Sequence, residues 1–117
     1  MEEALFRTML FDFFGELLTE KQREYFDLHY NEDLSLAEIA QSEGISRQGV
    51  WDIIRRAEES LRRYEEKTGL VARFTAQKEL IARAEGQLDE LRSLTEGPAR
   101  ELAGQITMTL QELRHGI

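Results

Sequence analysis

The side chains best suited to recognise another molecule are arginines and a glutamine that lie close together between residues 46 and 63. An arginine guanidinium pairs with the acceptors of guanine in a major groove, and a glutamine amide pairs with adenine. Arg47 and Gln48 are adjacent and could make both contacts, while arginines farther along could meet phosphates. The candidate nucleic-acid-binding residues are Ser46, Arg47, Gln48, Trp51, Arg55, Arg56, Arg62 and Arg63.

Two residues in the same stretch do not suit simple recognition of a duplex. Asp52 would face a polyanion from the middle of the reading helix, and Trp51 is bulky there. Trp51 could stack on an unpaired base, pack on another protein surface or fold back onto the preceding helix. A tryptophan half-buried against neighbouring helices is at least as well supported as the other readings.

The elements that must position these side chains are two short helices joined by a tight turn, between Ser35 and Arg56. Ser35 and Glu38 form a capping box, Gly44 stands where a tight turn needs positive φ, and Ser46 caps the second helix. The residues expected to face the interior are Leu36, Ile39, Ala40, Val50, Ile53 and Ile54, and Ile45 is expected to fill the turn. This spacing predicts a helix-turn-helix, whose second helix enters a major groove. A helical hairpin that binds no nucleic acid remains an alternative.

The net charge of −8 argues against avid, non-specific binding to nucleic acid, which depends on phosphate neutralisation. The acidity is uneven, because residues 1–33 hold nine acidic and three basic residues, whereas residues 34–68 have a net charge of −1. The second helix of the motif could therefore still present a positive face. Binding should be weak and sensitive to salt unless a dimer doubles the contacts.

Other classes of function lack the residues that they require. The chain has no cysteine, which fits a cytoplasmic protein, and no apolar run near the roughly 20 residues of a membrane span. It has no glycine-rich phosphate loop, and neither His29 nor His115 belongs to a cluster of metal ligands. We therefore expect no enzyme, no catalytic residue, no cofactor, no metal site and no membrane insertion.

The remaining chain is predicted to be helical, which makes the fold all-α. Residues 2–14 form a first helix, and Thr19 with Gln22 forms a second capping box. The apolar face of the first helix is expected to contain Leu5, Phe6, Met9, Leu10 and Phe13, broadened by Phe14. Residues 1–70 thus form a helix-turn-helix domain with N-terminal helices.

Residues 71–117 form a helical C-terminal extension after the stop at Gly69. One helix covers residues 71–94, and Gly97-Pro98 precedes another whose apolar side is expected to contain Leu102, Ile106, Leu110 and Leu113. The two helices could close as an antiparallel hairpin or pair with a second copy in a homodimer. In the second helix of the helix-turn-helix, Glu58 and Arg62, and likewise Glu59 and Arg63, are four residues apart and have the spacing of ion pairs.

From Leu10 to about Gln77 the sequence resembles the YlxM family of small bacterial proteins. The resemblance lies in FDFFGELLTEKQREYFDLHYNEDLSLAEIA (Phe11–Ala40) and ISRQGVWDIIRRAEESLRRYEEKTGL (Ile45–Leu70). It implies an all-helical cytoplasmic protein with a regulatory role in the signal recognition particle pathway. The helix-turn-helix is also similar to the C-terminal, promoter-reading domain of bacterial sigma factors. Gly49 and Trp51 stand where alanine and tyrosine are expected in relatives.

Three functions follow from these observations. The first is a regulatory protein of the signal recognition particle that binds its RNA, its GTPase or both. The second is a DNA-binding transcriptional regulator that places the second helix of the motif in a major groove. The third is a protein-interaction module that has kept the fold and lost nucleic-acid binding.

Overall fold

A computed structural model describes residues 2–116, which form six α-helices and no β-strand within that range. The helices are α1 (Glu3–Phe14), α2 (Glu20–Tyr30), α3 (Leu36–Glu43), α4 (Arg47–Thr68), α5 (Leu70–Leu94) and α6 (Pro98–His115). A 3-10 turn, Gly15–Leu17, follows α1. The contacts divide the chain into two compact units between Val71 and Ala72. The all-α fold with a helix-turn-helix is therefore confirmed.

The helices α2 and α3 begin where the sequence predicted. At each start, side-chain oxygens accept hydrogen bonds from backbone N–H groups that have no partner within the helix. The Thr19 hydroxyl accepts from the Gln22 N–H at 3.2 Å, and the Gln22 amide oxygen accepts from the Thr19 N–H at 3.1 Å. Ser35 and Glu38 form the same reciprocal pair, with both distances 3.0 Å. Because each box satisfies two orphan donors, it fixes the first turn of its helix.

The core of the first unit is built around α4, against which α1, α2 and α3 all pack. Successive buried positions on α4 are three or four residues apart, which is the period of one helix face. These positions are Val50, Ile54, Ala57 and Leu61. The rings of Phe11 and Phe26 stack with centroids 5.0 Å apart and join α1 to α2. Val71 also lies fully buried in this core.

The buried face of α1 differs from the predicted one. Leu10 and Phe14 are buried, and Phe6 packs beside them, whereas Leu5 is 52% exposed and Phe13 is 38% exposed. Positions 6, 10 and 14 are four residues apart and lie along one side of a helix, which Leu5 does not share. Leu5 and Phe13, which were expected on the apolar side of this helix, are therefore the members of that side that the chain's own helices cover least.

The second unit is an antiparallel pair formed by the remainder of α5 and α6. Lys78 Nζ donates to the carbonyl of Arg114 at 3.1 Å, Arg114 forms an ion pair with Glu85, and Gly104 lies beside Arg92. Residues near the start of α5 thus contact the end of α6, and residues near the end of α5 contact the start of α6, as in an antiparallel pair.

The face of α6 that packs on α5 is centred on a small residue, and much of the predicted apolar side of α6 stays exposed. Ala103 is buried and Leu110 is partly buried, while Leu102, Ile106 and Leu113 are exposed. A methyl side chain at position 103 lets the two helices approach closely, so the larger side chains beside it turn outward.

Candidate nucleic-acid interface

The turn between α3 and α4 fixes the direction in which the second helix leaves. Gly44 has φ 71°, and the N–H groups of Gly44 and Ile45 donate to the carbonyl of Ala40 at 2.9 and 3.2 Å. The Ser46 hydroxyl then accepts from the Gly49 N–H at 3.0 Å and caps α4. With Val50 fully buried, the helix is oriented so that Arg47, Gln48 and Trp51 face outward.

An open groove lies on this outward face and has a volume of about 520 Å³. Its lining residues are Leu36 at the start of α3 and Arg47, Gln48 and Trp51 on α4. The Trp51 side chain is 38% exposed, so the indole is neither buried in the core nor free of the surface. The structure therefore brings together three of the residues that the sequence singled out.

Asp52 is held by its neighbours on the same helix. Its carboxylate accepts from Gln48 Nε2 at 3.1 Å and lies 3.9 Å from an Arg55 guanidinium nitrogen. Arg55 also pairs with Glu59 at 2.9 Å. The expected Glu59/Arg63 pair is thus replaced by Arg55–Glu59, and Arg55 is partly neutralised by two carboxylates.

Three candidate arginines on α4 are exposed and form no ion pair among residues 2–116. They are Arg47, Arg56 and Arg63, of which Arg63 donates to the Ser60 hydroxyl at 3.4 Å. An unpaired, hydrated guanidinium loses little when it meets a phosphate, because no existing partner must be given up. These side chains are the most available for anionic ligands.

Arg62 lies in a different environment from the other candidates. It forms ion pairs with Glu3 and with Glu58, the latter at 3.3 Å, and its guanidinium lies 5.4 Å from the centre of the Phe6 ring. The sequence predicted the Glu58–Arg62 pair but not the contacts with α1. Arg62 therefore joins α1 to α4 and is not grouped with Arg47.

Sequence reasoning assigned Leu36 to the interior and did not place it at the interface. Leu36 is the first residue of α3, directly after the capping Ser35, and it is only half-buried. Its position in the sequence could have indicated partial exposure, since a residue in the first turn has no preceding turn of helix to cover it.

Two carboxyl groups of the first unit have displaced pKa values. The pKa of Glu38 is lowered because its carboxylate accepts from the Ser35 N–H and interacts with the Ser35 hydroxyl. The pKa of Glu24 is raised, chiefly by a hydrogen bond with the carboxyl of Glu43. Glu24 also lines an acidic depression of about 500 Å³ with Phe11, Glu20, Arg23 and Asp27.

The described part of the chain contains no group of three or more histidines and carboxylates able to hold a metal ion. His29 donates from Nδ1 to the carbonyl of Leu34 at 2.8 Å and so supports the end of α2. None of the helices in residues 2–116 has both the length and the apolar character of a membrane span.

Comparison with known proteins extends the resemblance. Residues 1–97 match the family model described as "Putative helix-turn-helix protein, YlxM / p13 like". A UPF0122 protein of Caldanaerobacter subterraneus subsp. tengcongensis is 57% identical over 70 residues, which is 60% of each chain. One from Thermoanaerobacter sp. (strain X514) is 56% identical over 72 residues, which is 62% of each chain. These matches thus span about three fifths of those two relatives.

A UPF0122 protein of Listeria monocytogenes serotype 4b (strain CLIP80459) is 40% identical over 107 residues, which is 92% of this chain and 90% of that protein. The similarity therefore reaches beyond the stretch between Leu10 and Gln77 and includes much of α6. These similarities establish that the chain belongs to the YlxM/p13-like helix-turn-helix family, and the all-helical fold with its helix-turn-helix agrees with that description.

Proposed function

We propose that this chain is a cytoplasmic, non-enzymatic regulatory protein that binds structured RNA through α4, with the RNA of the signal recognition particle as its first target. The observation that carries the proposal is that Arg47, exposed and without an ion pair among the described residues, lines the same groove as the half-exposed Trp51. Arg56, farther along α4, is a second exposed arginine without an ion pair in that range. Cations supply attraction to phosphates, and an aromatic ring suits unpaired bases. The particular pathway is what resemblance to the YlxM family implies.

The net charge of −8 sets the expected strength of this binding. A few arginines must act against the repulsion of an acidic protein, so the affinity should be weak and should fall with salt in proportion to the number of phosphates that the arginines meet. An RNA with a defined shape can compensate by placing several phosphates near the arginines at once.

The test is a fluorescence-anisotropy titration of wild type and an Arg47→Glu/Arg56→Glu variant, at two salt concentrations. The probes are labelled signal recognition particle RNA and a duplex DNA of equal length and random sequence. An Arg23→Glu/Arg100→Glu variant is the control, because it changes the net charge equally at exposed sites outside α4. We expect salt-dependent RNA binding that only the α4 variant loses. Equal losses in both double variants would mean that total charge, and not this surface, controls binding.

The GTPase of the signal recognition particle is the second partner that we propose. The acidic depression on α2 is the supporting feature, since Glu20, Glu24 and Asp27 together offer negative charge to a basic protein surface. Titration of the purified GTPase with a Glu20→Lys/Asp27→Lys variant tests this arm. Unchanged binding by that variant would exclude the depression as the contact.

A DNA-binding transcriptional regulator, similar in its motif to the promoter-reading domain of sigma factors, is the competing function. Arg47 and Gln48 favour it, because they lie in the first turn of α4, where base edges are read. Selection from random duplexes would support it by returning a short palindrome. Enrichment of no sequence would count against it.

We also propose that the second unit pairs with another copy to form a homodimer. Leu102 is 56% exposed and Ile106, four residues on and on the same side of α6, is 42% exposed, so this side presents apolar surface that a second copy would cover. Sedimentation of wild type and a Leu102→Glu variant, with Glu101→Gln as control, tests the proposal. A monomeric wild type at micromolar concentration would refute it.

A further inference from the structure

We infer that the groove between α3 and α4 accepts one unpaired nucleobase of an RNA, stacked on the indole of Trp51. The inference rests on the proposed function and narrows its ligand from structured RNA to RNA with an extruded base. The groove volume of about 520 Å³ lies within the range of roughly 300–1,000 Å³ that is common for sites that bind small ligands.

The groove has one aromatic and one aliphatic side chain in its lining. Trp51 presents part of a flat indole, and Leu36 presents a half-buried aliphatic side chain from the neighbouring helix. A planar base can stack on the indole, and Leu36 can add apolar contact. Base stacking on an aromatic side chain is tolerant of sequence, which suits recognition of a bulge more than recognition of a particular base.

Polar groups beside the indole match the parts of a nucleotide that would remain outside the stack. Arg47 lines the same groove and has no ion pair within residues 2–116, so it can meet the phosphate of the bound nucleotide. Gln48 donates one N–H to Asp52 at 3.1 Å. Its carbonyl oxygen and second N–H stay available for the edge of a base.

A continuous duplex fits the same surface less well. In a duplex the flat faces of the bases are covered by their neighbours, so a major-groove helix meets only base edges and Trp51 has no ring to stack on. Insertion would also bring the Asp52 carboxylate close to phosphates, against which the 3.9 Å contact with Arg55 gives only partial compensation. An extruded base can reach Trp51 without bringing the whole of α4 into a groove.

The experiment compares three labelled RNA hairpins of the same stem: fully paired, with a single-nucleotide bulge, and with an abasic residue at the bulge. Trp51 is the chain's only tryptophan, so its fluorescence reports directly on stacking. We expect the bulged hairpin to bind at least about tenfold more tightly than the other two and to quench Trp51. Trp51→Ala should remove this preference, whereas Trp51→Phe should keep part of it.

Circular dichroism of each variant controls for folding. Equal binding of all three hairpins, with dependence on Arg47 retained, would overturn the inference and leave the proposed RNA-binding function standing. Binding of none of the hairpins, nor of signal recognition particle RNA, would overturn both. If the abasic hairpin binds as tightly as the bulged one, and both bind more tightly than the paired one, recognition depends on backbone flexibility and not on a stacked base. That result would also overturn the inference.

Discussion

The Nε atom of Arg7 donates to Oε1 of Glu58 at 2.7 Å and joins α1 to α4 across 51 residues of sequence. The Arg7 guanidinium also lies 4.4 Å from the centre of the Tyr30 ring on α2. Hydrogen bonding to Glu58 raises the pKa of Arg7, and burial raises the pKa of Tyr30. Since Glu58 also accepts from Arg62, one carboxylate on α4 holds two arginines in place.

Replacing Glu58 with glutamine should therefore lower the free energy of unfolding by about 1–2 kcal/mol, because Arg7 loses its closer charged partner in a partly buried setting and keeps, among the described residues, only Glu3 at 3.9 Å. Glu59→Gln is the matched control, since Glu59 is next in sequence but makes an exposed pair with Arg55 and should cost no more than about 0.5 kcal/mol. Urea unfolding followed by circular dichroism measures both. Equal losses of unfolding free energy in the two variants would mean that the Arg7–Glu58 pair stabilises the fold no more than an exposed ion pair does.

The capping box of α3 should make stability depend on pH. The folded-state pKa of Glu38 is lowered, so its contribution is fully present above the ordinary value near 4.5 and is lost as pH falls through the lowered value. Between pH 6 and pH 3, the melting temperature of wild type should fall more than that of Glu38→Gln.

The neutral box of α2 provides a reciprocal control. Gln22 occupies the position that Glu38 holds in α3, and it does not titrate. Gln22→Glu should introduce a similar acid-dependent loss of melting temperature. The same pH profile for wild type and both variants would contradict the assignment of this effect to the capping carboxylate.

Two glycines inside helices should respond differently to alanine. Gly86 in α5 has nothing within 4 Å of an added Cβ, so Gly86→Ala should stabilise its helix by about 0.5–1 kcal/mol. An added Cβ at Gly49 would lie 3.2 Å from the Ser46 hydroxyl that caps α4, so Gly49→Ala should gain less. Chemical unfolding followed by circular dichroism compares them, and a larger gain at Gly49 would show that the cap adjusts freely.

Arg56 and Arg62 should separate binding from folding. Arg56→Ala should leave stability unchanged and reduce the slope of log affinity against log salt by about 0.7–0.9 if its guanidinium meets one phosphate. Arg62→Ala should lower the melting temperature through lost contacts with α1 and leave that slope unchanged. RNA titrations at four salt concentrations and thermal melts provide both readouts. A reduced slope of log affinity against log salt for Arg62→Ala would show that Arg62 contacts a phosphate of the RNA.

Local chemistry by itself determined the helices and their ends. The Thr19/Gln22 and Ser35/Glu38 boxes act over four residues, and Gly44 relieves a steric conflict within its own backbone. Such features depend on neighbours in sequence, so they could be predicted without the fold. The same holds for Val50 and Ile54, which could be assigned to the interior from helical spacing.

Only the tertiary structure decided how side chains from distant segments share their partners. Leu5 and Phe13 are as apolar as Leu10, and nothing local shows which side of α1 the other helices cover. Arg62 and Arg47 are both arginines on α4. Arg62 pairs with Glu3 and lies over the Phe6 ring, both on α1, whereas Arg47 lines a groove together with Leu36 of α3. These differences arise from long-range packing, because a side chain's environment is set by whichever helix lies against it and not by its own spacing.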